Sequence, residues 1–303
     1  GFTFDPPVKK KLIHVEKASM KNQRSDQDRL LEAVGLEKEY LDPHLMGAIH
    51  KLTKRSGRNL TAIFSGSRIM ALEAGDTTEI CYGLAVDIGT TTVVGMLWDL
   101  VSCKNVAVSA RTNPQSIYGA DVVSRIGYCN EAEENLEKMH RKVIDCINDM
   151  IEEMTVAAGI QTENIYDVTV VGNTTMSHLF MGVQPDNLAM APFVPAYRPS
   201  ITMKAHRVGL NMQQEGVIHV LANISGYVGS DTLGVAMATK PWEQKGVSIG
   251  VDIGTNGEIF LGYKGWLLTC SAAAGPAFEG AHIEMGMRAG EGAIEKVSLR
   301  DDK

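Results

Sequence analysis

The sequence contains Val86-Asp87-Ile88-Gly89-Thr90 and, 165 residues later, Val251-Asp252-Ile253-Gly254-Thr255. Each copy sits inside a run of strand-forming residues. A strand interior has no use for Asp, Gly and Thr in that order, because Asp and Gly are poor strand formers. A hairpin turn facing an anion has use for all three. Gly89 and Gly254 lack a Cβ, so a phosphate can approach their backbone closely. Thr90, Thr91 and Thr92 in one turn, and Thr255, Asn256 and Gly257 in the other, offer backbone N–H groups and side-chain donors. Each hydrogen bond to a charged partner contributes about 1.5–3 kcal/mol, so a few suffice to hold a phosphate tail. Asp87 and Asp252 would repel phosphate, but can hold Mg²⁺ through its waters. One such turn reads equally well as a plain tight hairpin. Two, at matching places in matching strand runs, point to two symmetric halves gripping one anionic ligand.

Composition narrows the class. The 303 residues suffice for two or three domains. A net charge of -7 disfavours a nucleic-acid partner. No apolar run is long enough to span a bilayer, and the polar start GFTFDPPVKKKL has no signal-peptide core. The chain does not begin with Met, which leads us to expect a piece of a longer protein. Cys81, Cys103, Cys129, Cys146 and Cys270 lie far apart, without iron–sulfur or zinc spacing. They read as small core residues of a protein from the reducing cytoplasm.

Three segments are expected: a small α/β unit over 1–80, a larger unit over 81–246, and the start of its repeat over 247–303. In the first, "SDQDRLLEAVG" and "PHLMGAIHKLTKRSG" read as helices, and two strands flank Gly66. Lys9-Lys10-Lys11 reads as a solvated flank. From Cys81, three meandering strands precede one helical stretch over 119–158, with Leu136, Met139, Val143, Ile147, Met150, Ile151 and Met154 at helical steps. Strand "YDVTVVGN", helix "TTMSHLFMG", a proline-bearing loop, strand "GVIHVLANIS" and helix "SDTLGVAMATK" follow, before a second meander from Val247. This order is that of duplicated ribonuclease-H-like halves, the second incomplete.

The paired hairpins resemble the two phosphate motifs of the actin, sugar-kinase and heat-shock-chaperone ATPase superfamily. That superfamily places a connecting helix between its motifs, with an acidic residue near the attacking water. "SGYVGSDTLGVAMA" over 225–238 fits that place. The resemblance makes Asp231 a candidate base or water-orienting residue, and it reads equally as a helix N-cap. Gly234, Ala236 and Ala238 would permit close helix crossing.

A narrower resemblance spans almost the whole chain. "NPQSIYGADVVSRI" (113–126), "VGNTTMSHLF" (171–180) and "AGPAFEGA" (274–281) are similar to ATP-dependent reductive activators of corrinoid proteins, including those serving corrinoid iron–sulfur proteins, O-demethylases and methyltransferases. The resemblance implies an actin-like ATPase fold, with residues 1–80 as the family's small middle domain. It implies ATP and Mg²⁺ as cofactors and a corrinoid protein as partner, returned from Co(II) to Co(I). Electrons would come through an iron–sulfur domain outside this chain, since no cysteine set here supplies one. A homodimer is its candidate assembly. The chain reaches Lys303 soon after "GAIEKVSL", before the superfamily's adenosine-binding glycines are expected.

Several phrases stay open. Gly172, Asn173 and Thr174 precede a helix and fit a phosphate site or a simple cap. "AAAGPAFEGAHI" fits a loop near nucleotide, a partner surface or a packing turn. His178 and His282 are isolated, with a cobalt ligand as the alternative to ordinary hydrogen bonding. Tyr118, Asp121 and Arg125 are expected on one helix face, contacting nucleotide, partner or each other. The rival functions are a small-molecule kinase of the same superfamily, a non-enzymatic actin-like scaffold, and a radical-dehydratase activator, which would carry cluster cysteines.

Overall fold

In the structure, a computed structural model, residues 4–37, 41–254, 256–272 and 294 are described. The N-terminal unit pairs β1 (Val8–His14), β2 (Asn59–Ser65) and β3 (Arg68–Ala74) as an antiparallel sheet. Helices α1 (Asp26–Val34) and α2 (Pro43–Arg55) cover it. Helix α1 starts on a capping box between Ser25 and Asp28 and stops at Gly35 in the left-handed region. Asp42 caps α2, with Pro43 at its first turn. Leu30, Leu45, Ile49 and Leu60 are buried between helices and sheet, each burial removing apolar surface worth about 1.5–3 kcal/mol.

The lysine run is the solvated flank expected at Lys9 and Lys11 but not at Lys10. It lies in β1, where alternation turns Lys10 inward while Lys9 stays exposed beside Asp5. The Lys10 side chain is only 2% exposed. Its Nζ meets Glu73 at 2.9 Å and the Tyr166 hydroxyl at 2.8 Å, and that hydroxyl donates to Glu73 as well. Tyr166 belongs to the next unit, so this buried trio joins the two units. A small apolar cluster around it, including Val8, Ile63, Cys81 and Val217, seals the junction.

The central unit contains β4 (Tyr82–Ile88), β5 (Thr92–Asp99), β6 (Lys104–Thr112), α3 (Val122–Glu131), α4 (Glu133–Ala158), β7 (Ile165–Gly172), α5 (Thr174–Met181), β8 (Ile201–Lys204), β9 (Val217–Val220) and α6 (Ser230–Thr239). Its sheet order is β6-β5-β4-β7-β9-β8. The first three strands are antiparallel, and β4, β7 and β9 run parallel. This is the three-two-one-four-five order of a ribonuclease-H-like half, with β8 added antiparallel at the edge. The expected 119–158 helix is interrupted: Ala132 is extended, at φ −157° and ψ 147°, and separates α3 from α4. The apolar stripe of α4 packs on the sheet, with Met139, Val143, Ile147 and Ile151 fully buried. Cys129 and Cys146 join that core, whereas Cys103 and Cys270 are exposed, contrary to their reading as core residues.

The last described unit is the antiparallel meander β10 (Ser248–Ile253), β11 (Gly257–Tyr263) and β12 (Trp266–Ala272). One face packs through Phe260. The other leaves Ile249, Val251, Ile253 and Leu268 exposed. Thr255, His282 and the "AAAGPAFEGAHI" phrase from Ala273 onward lie outside the described residues.

Candidate functional site

The two hairpins meet. Asp87 and Asp252 each occupy the penultimate residue of their strands, β4 and β10. With Asp231 they line one cleft of about 250 Å³. Gly89, Thr90, Thr91, Thr92 and Asn173 form the wall from the first half, and Gly254, Asn256 and Glu258 that from the second. No Lys, Arg or His is among these lining residues.

The turns are similar but not identical. In the first, Ile88 pairs with Val93 and the Gly89 N–H donates to the Thr92 carbonyl at 2.9 Å. In the second, Ile253 pairs with Gly257 and the Gly254 N–H donates to the Asn256 carbonyl at 3.1 Å. The second turn is therefore one residue shorter. A Cβ on Gly89 would lie 2.6 Å from the Thr92 carbonyl oxygen, so the turn itself demands glycine before any ligand is considered.

Buried polar groups brace the first turn from behind. Asn113 Nδ2 donates to the Gly89 carbonyl at 2.8 Å, and the Asn113 N–H donates to the Thr91 carbonyl at 2.7 Å. Arg125 Nη2 donates to the Thr90 carbonyl at 2.6 Å. Asn173 Nδ2 donates to Thr90 Oγ1 at 2.9 Å. A peptide N–H lies opposite its C=O. Pinning the carbonyls of Gly89 and Thr90 therefore aims the following amides away from the brace.

Asp231 sits at the second residue of α6, and Gly229 is the N-cap. The N-cap alternative for Asp231 is thus corrected, since it stands two residues after the cap, although its Oδ1 does accept the Thr232 N–H at 2.7 Å. The first-turn position also favours a carboxylate through the helix dipole. Gly229 lets α6 start against α5: a Cβ there would lie 2.4 Å from Asn173 Cα. Asn173 caps α5 by accepting the Met176 N–H at 3.0 Å and still reaches the cleft. Its neighbours do not. Gly172 packs against Ile88, and Thr174 is buried with its hydroxyl donating to the Ser225 carbonyl at 2.6 Å. Gly257 closes the second hairpin without lining the cleft.

The carboxylates crowd one another. Asp87 opens onto the cleft and keeps part of its surface in solvent, while the protein around it displaces part of its water. Loss of water is the main reason its pKa is pushed up to about 6, and Asp231 and Asp252 add to the shift. Burial also raises Asp231. Glu258, 6% exposed, is pushed up to about 7, first by burial and then by Asp231 and Asp252. Such mutually destabilised carboxylates fit a divalent cation. Among the described residues no three His, Cys, Asp or Glu side chains converge as a direct metal cage. The donor set therefore suits an ion held largely through waters and phosphate oxygens.

Glu258 escaped the sequence reading. It stands opposite Asp252 across the second hairpin, where the first half places Val94 opposite Asp87. Aligning the two meanders would have exposed this one asymmetry. Tyr118, Asp121 and Arg125 do not share a helix face. Tyr118 ends a 3₁₀ turn and stacks on Tyr128, Asp121 caps α3, and Arg125 is buried inside α3. His178 is no open ligand: Nδ1 donates to the Thr174 carbonyl at 2.7 Å, and Nε2 accepts the Ala196 N–H at 3.0 Å. Burial lowers its pKa.

A ribonuclease-H-like half facing the hairpin of a second half across an acidic cleft defines an actin-like ATPase architecture. Family models agree along the chain: "RACo linker region" matches 1–79, "RACo middle region" 82–242, and "C-terminal domain of RACo the ASKHA domain" 246–303. The chain belongs to the RACo family. It is 37% identical over 245 residues to the corrinoid activation enzyme RamQ of Eubacterium limosum, covering 80% of this chain and 41% of that protein. It is 28% identical over 222 residues to the [Co(II) methylated amine-specific corrinoid protein] reductase of Methanosarcina barkeri, covering 70% and 40% respectively. Among solved structures, a reductive activator for corrinoid, iron–sulfur protein matches with a TM-score of 0.87 and 32% identity, over 98% of this chain and 49% of that one. The chain thus spans about half or less of the length of these relatives. Among the described residues no helix is long and apolar enough to cross a membrane.

Proposed function

We propose that this chain is the nucleotide-binding part of an ATP-dependent reductive activator that returns a Co(II) corrinoid protein to Co(I). The observation that carries the reading is the convergence of both hairpins and Asp231 on one acidic cleft. The corrinoid substrate rests on what the RamQ and reductase relatives are named for.

In this reading the turns over Gly89–Thr92 and Gly254–Asn256 hold the phosphates of ATP, with Gly257 closing the second hairpin behind them. Asp87 and Asp252 hold Mg²⁺ through its waters, and the ion supplies charge neutralisation at the phosphates. Asp231, on a rigid helix start, orients or deprotonates the attacking water. Asn173 adds a donor from the α5 cap. Gly172 and Thr174 act through packing, by positioning Asn173 and the start of α6. Electrons reach the cobalt through an iron–sulfur domain outside this chain. Closure of the two halves over nucleotide would switch affinity for the corrinoid partner, which requires that the partner bind the two states unequally.

The test uses the full-length protein with its Co(II) corrinoid partner, reduction being followed by visible absorbance under a low-potential donor. Reduction is expected to need Mg-ATP and to be lost in Asp87→Ala and Asp252→Ala. ATP-independent reduction, or full activity in both variants, overturns the reading.

A further inference from the structure

Among the described residues that line it, the acidic cleft has no basic side chain, which phosphate sites commonly have. Among the described residues, the strongly buried cation near it lies behind the first hairpin. Arg125 is 0% exposed. Its Nε donates to the Gly119 carbonyl at 3.0 Å, its Nη2 to the Thr90 carbonyl at 2.6 Å, and its Nη1 contacts Met176 Sδ at 3.2 Å. All three partners are neutral. Among the described residues no carboxylate lies within ion-pair distance of it. Asp121, the carboxylate that acts on it electrostatically, is exposed and engaged in capping Ser124. Burying a guanidinium without a counter-ion is costly, and sequences rarely do so without return.

The location gives the return. Thr90, Thr91 and Thr92 are a shared wall: on one side the carboxylate cleft, on the other a second cavity of about 270 Å³ lined by Arg125, Arg111, Thr112 and Ser116. Arg125 reaches that wall through the Thr90 carbonyl, and so polarises the peptide whose N–H belongs to Thr91. Placed in the interior, its field is weakly screened. Burial that pushes its pKa down to about 10 leaves it fully protonated at neutral pH.

We propose that Arg125 is a positioning residue whose uncompensated buried charge is balanced by the phosphates of the bound nucleotide, across the Thr90–Thr92 turn. The inference rests on the nucleotide reading above. It assigns a positive charge acting on the phosphates to the α3 segment, and predicts that affinity for phosphate, not for the nucleoside, depends on that charge.

The experiment measures binding of Mg-ATP, Mg-ADP and adenosine by calorimetry to the full-length protein and three variants. Arg125→Gln and Arg125→Met remove the charge, the first keeping hydrogen-bond donors; either one, if folded by circular dichroism, decides the matter. Arg125→Lys keeps the charge and loses the fork. Mg-ATP affinity is expected to fall at least about tenfold in the neutral variants and by no more than about threefold in Arg125→Lys. Adenosine affinity should stay within about twofold of wild type throughout, since no charge is involved. Equal losses in the lysine and neutral variants, or a parallel loss for adenosine, would show a purely mechanical brace and overturn the proposal. So would unchanged Mg-ATP affinity in a folded neutral variant. A wild-type protein that binds no Mg-ATP would instead end the nucleotide reading itself.

Discussion

Replacing Glu258 with Gln should make the nucleotide-free protein more stable, and only above a certain pH. The carboxylate is 6% exposed, faces Asp231 and Asp252, and titrates at about 7 instead of 4.5. Below pH 4.5 it is protonated in both folded and unfolded chains and contributes no penalty. As pH rises towards 7 the unfolded chain releases the proton while the folded chain holds it, so folded stability falls. Above 7 the folded protein carries a buried charge beside two others. The rise from 4.5 to about 7 corresponds to about 3 kcal/mol at full effect. Glutamine preserves size and removes the charge. The expected outcome is near-equal stability of wild type and Glu258→Gln at pH 4.5, and a variant advantage of about 3 kcal/mol at pH 8. Urea denaturation in chelator, without nucleotide, measures both. A pH-independent difference, or a less stable variant at pH 8, would refute the account of crowded carboxylates. Adding Mg-ATP should reverse the order, because the charge then has a cation to serve.

Two further outcomes follow from the geometry. Asp231→Asn keeps the acceptor for the Thr232 N–H and removes one of the crowded charges, so melting temperature should hold or rise while kcat for ATP hydrolysis falls by about 10²–10⁴; a lower melting temperature with normal kcat would assign the residue to the helix start alone. Lys10→Met strands Glu73 and should cost about 3–5 kcal/mol, with Lys10→Met/Glu73→Gln recovering most of it; calorimetric melting that is unchanged in the single variant would remove the buried ion pair as the support on which Tyr166 of the second unit docks.

The sequence by itself determined the periodic parts. Runs of strand-forming residues placed the strands on either side of both "VDIGT" turns, because branched and aromatic side chains suit a pleated surface. Three- and four-residue steps marked α4, because only one stripe of a helix can face a sheet. The repeat of one unusual turn made a two-sided anionic site legible before any contact was known. Tertiary structure decided whatever depends on partners far apart in the chain. Lys10 reads as solvated until Glu73 and Tyr166, 63 and 156 residues away, are brought against it. Arg125 reads as one polar residue on a helix until Thr90, 35 residues earlier, supplies its carbonyl. Glu258 reads as the polar member of an alternating strand until α6 brings Asp231 towards it and water is excluded. Local pattern records which face a residue occupies. The protonation, pairing and role of a charged group depend on the dielectric and the charges around it, and those exist only once the chain has folded.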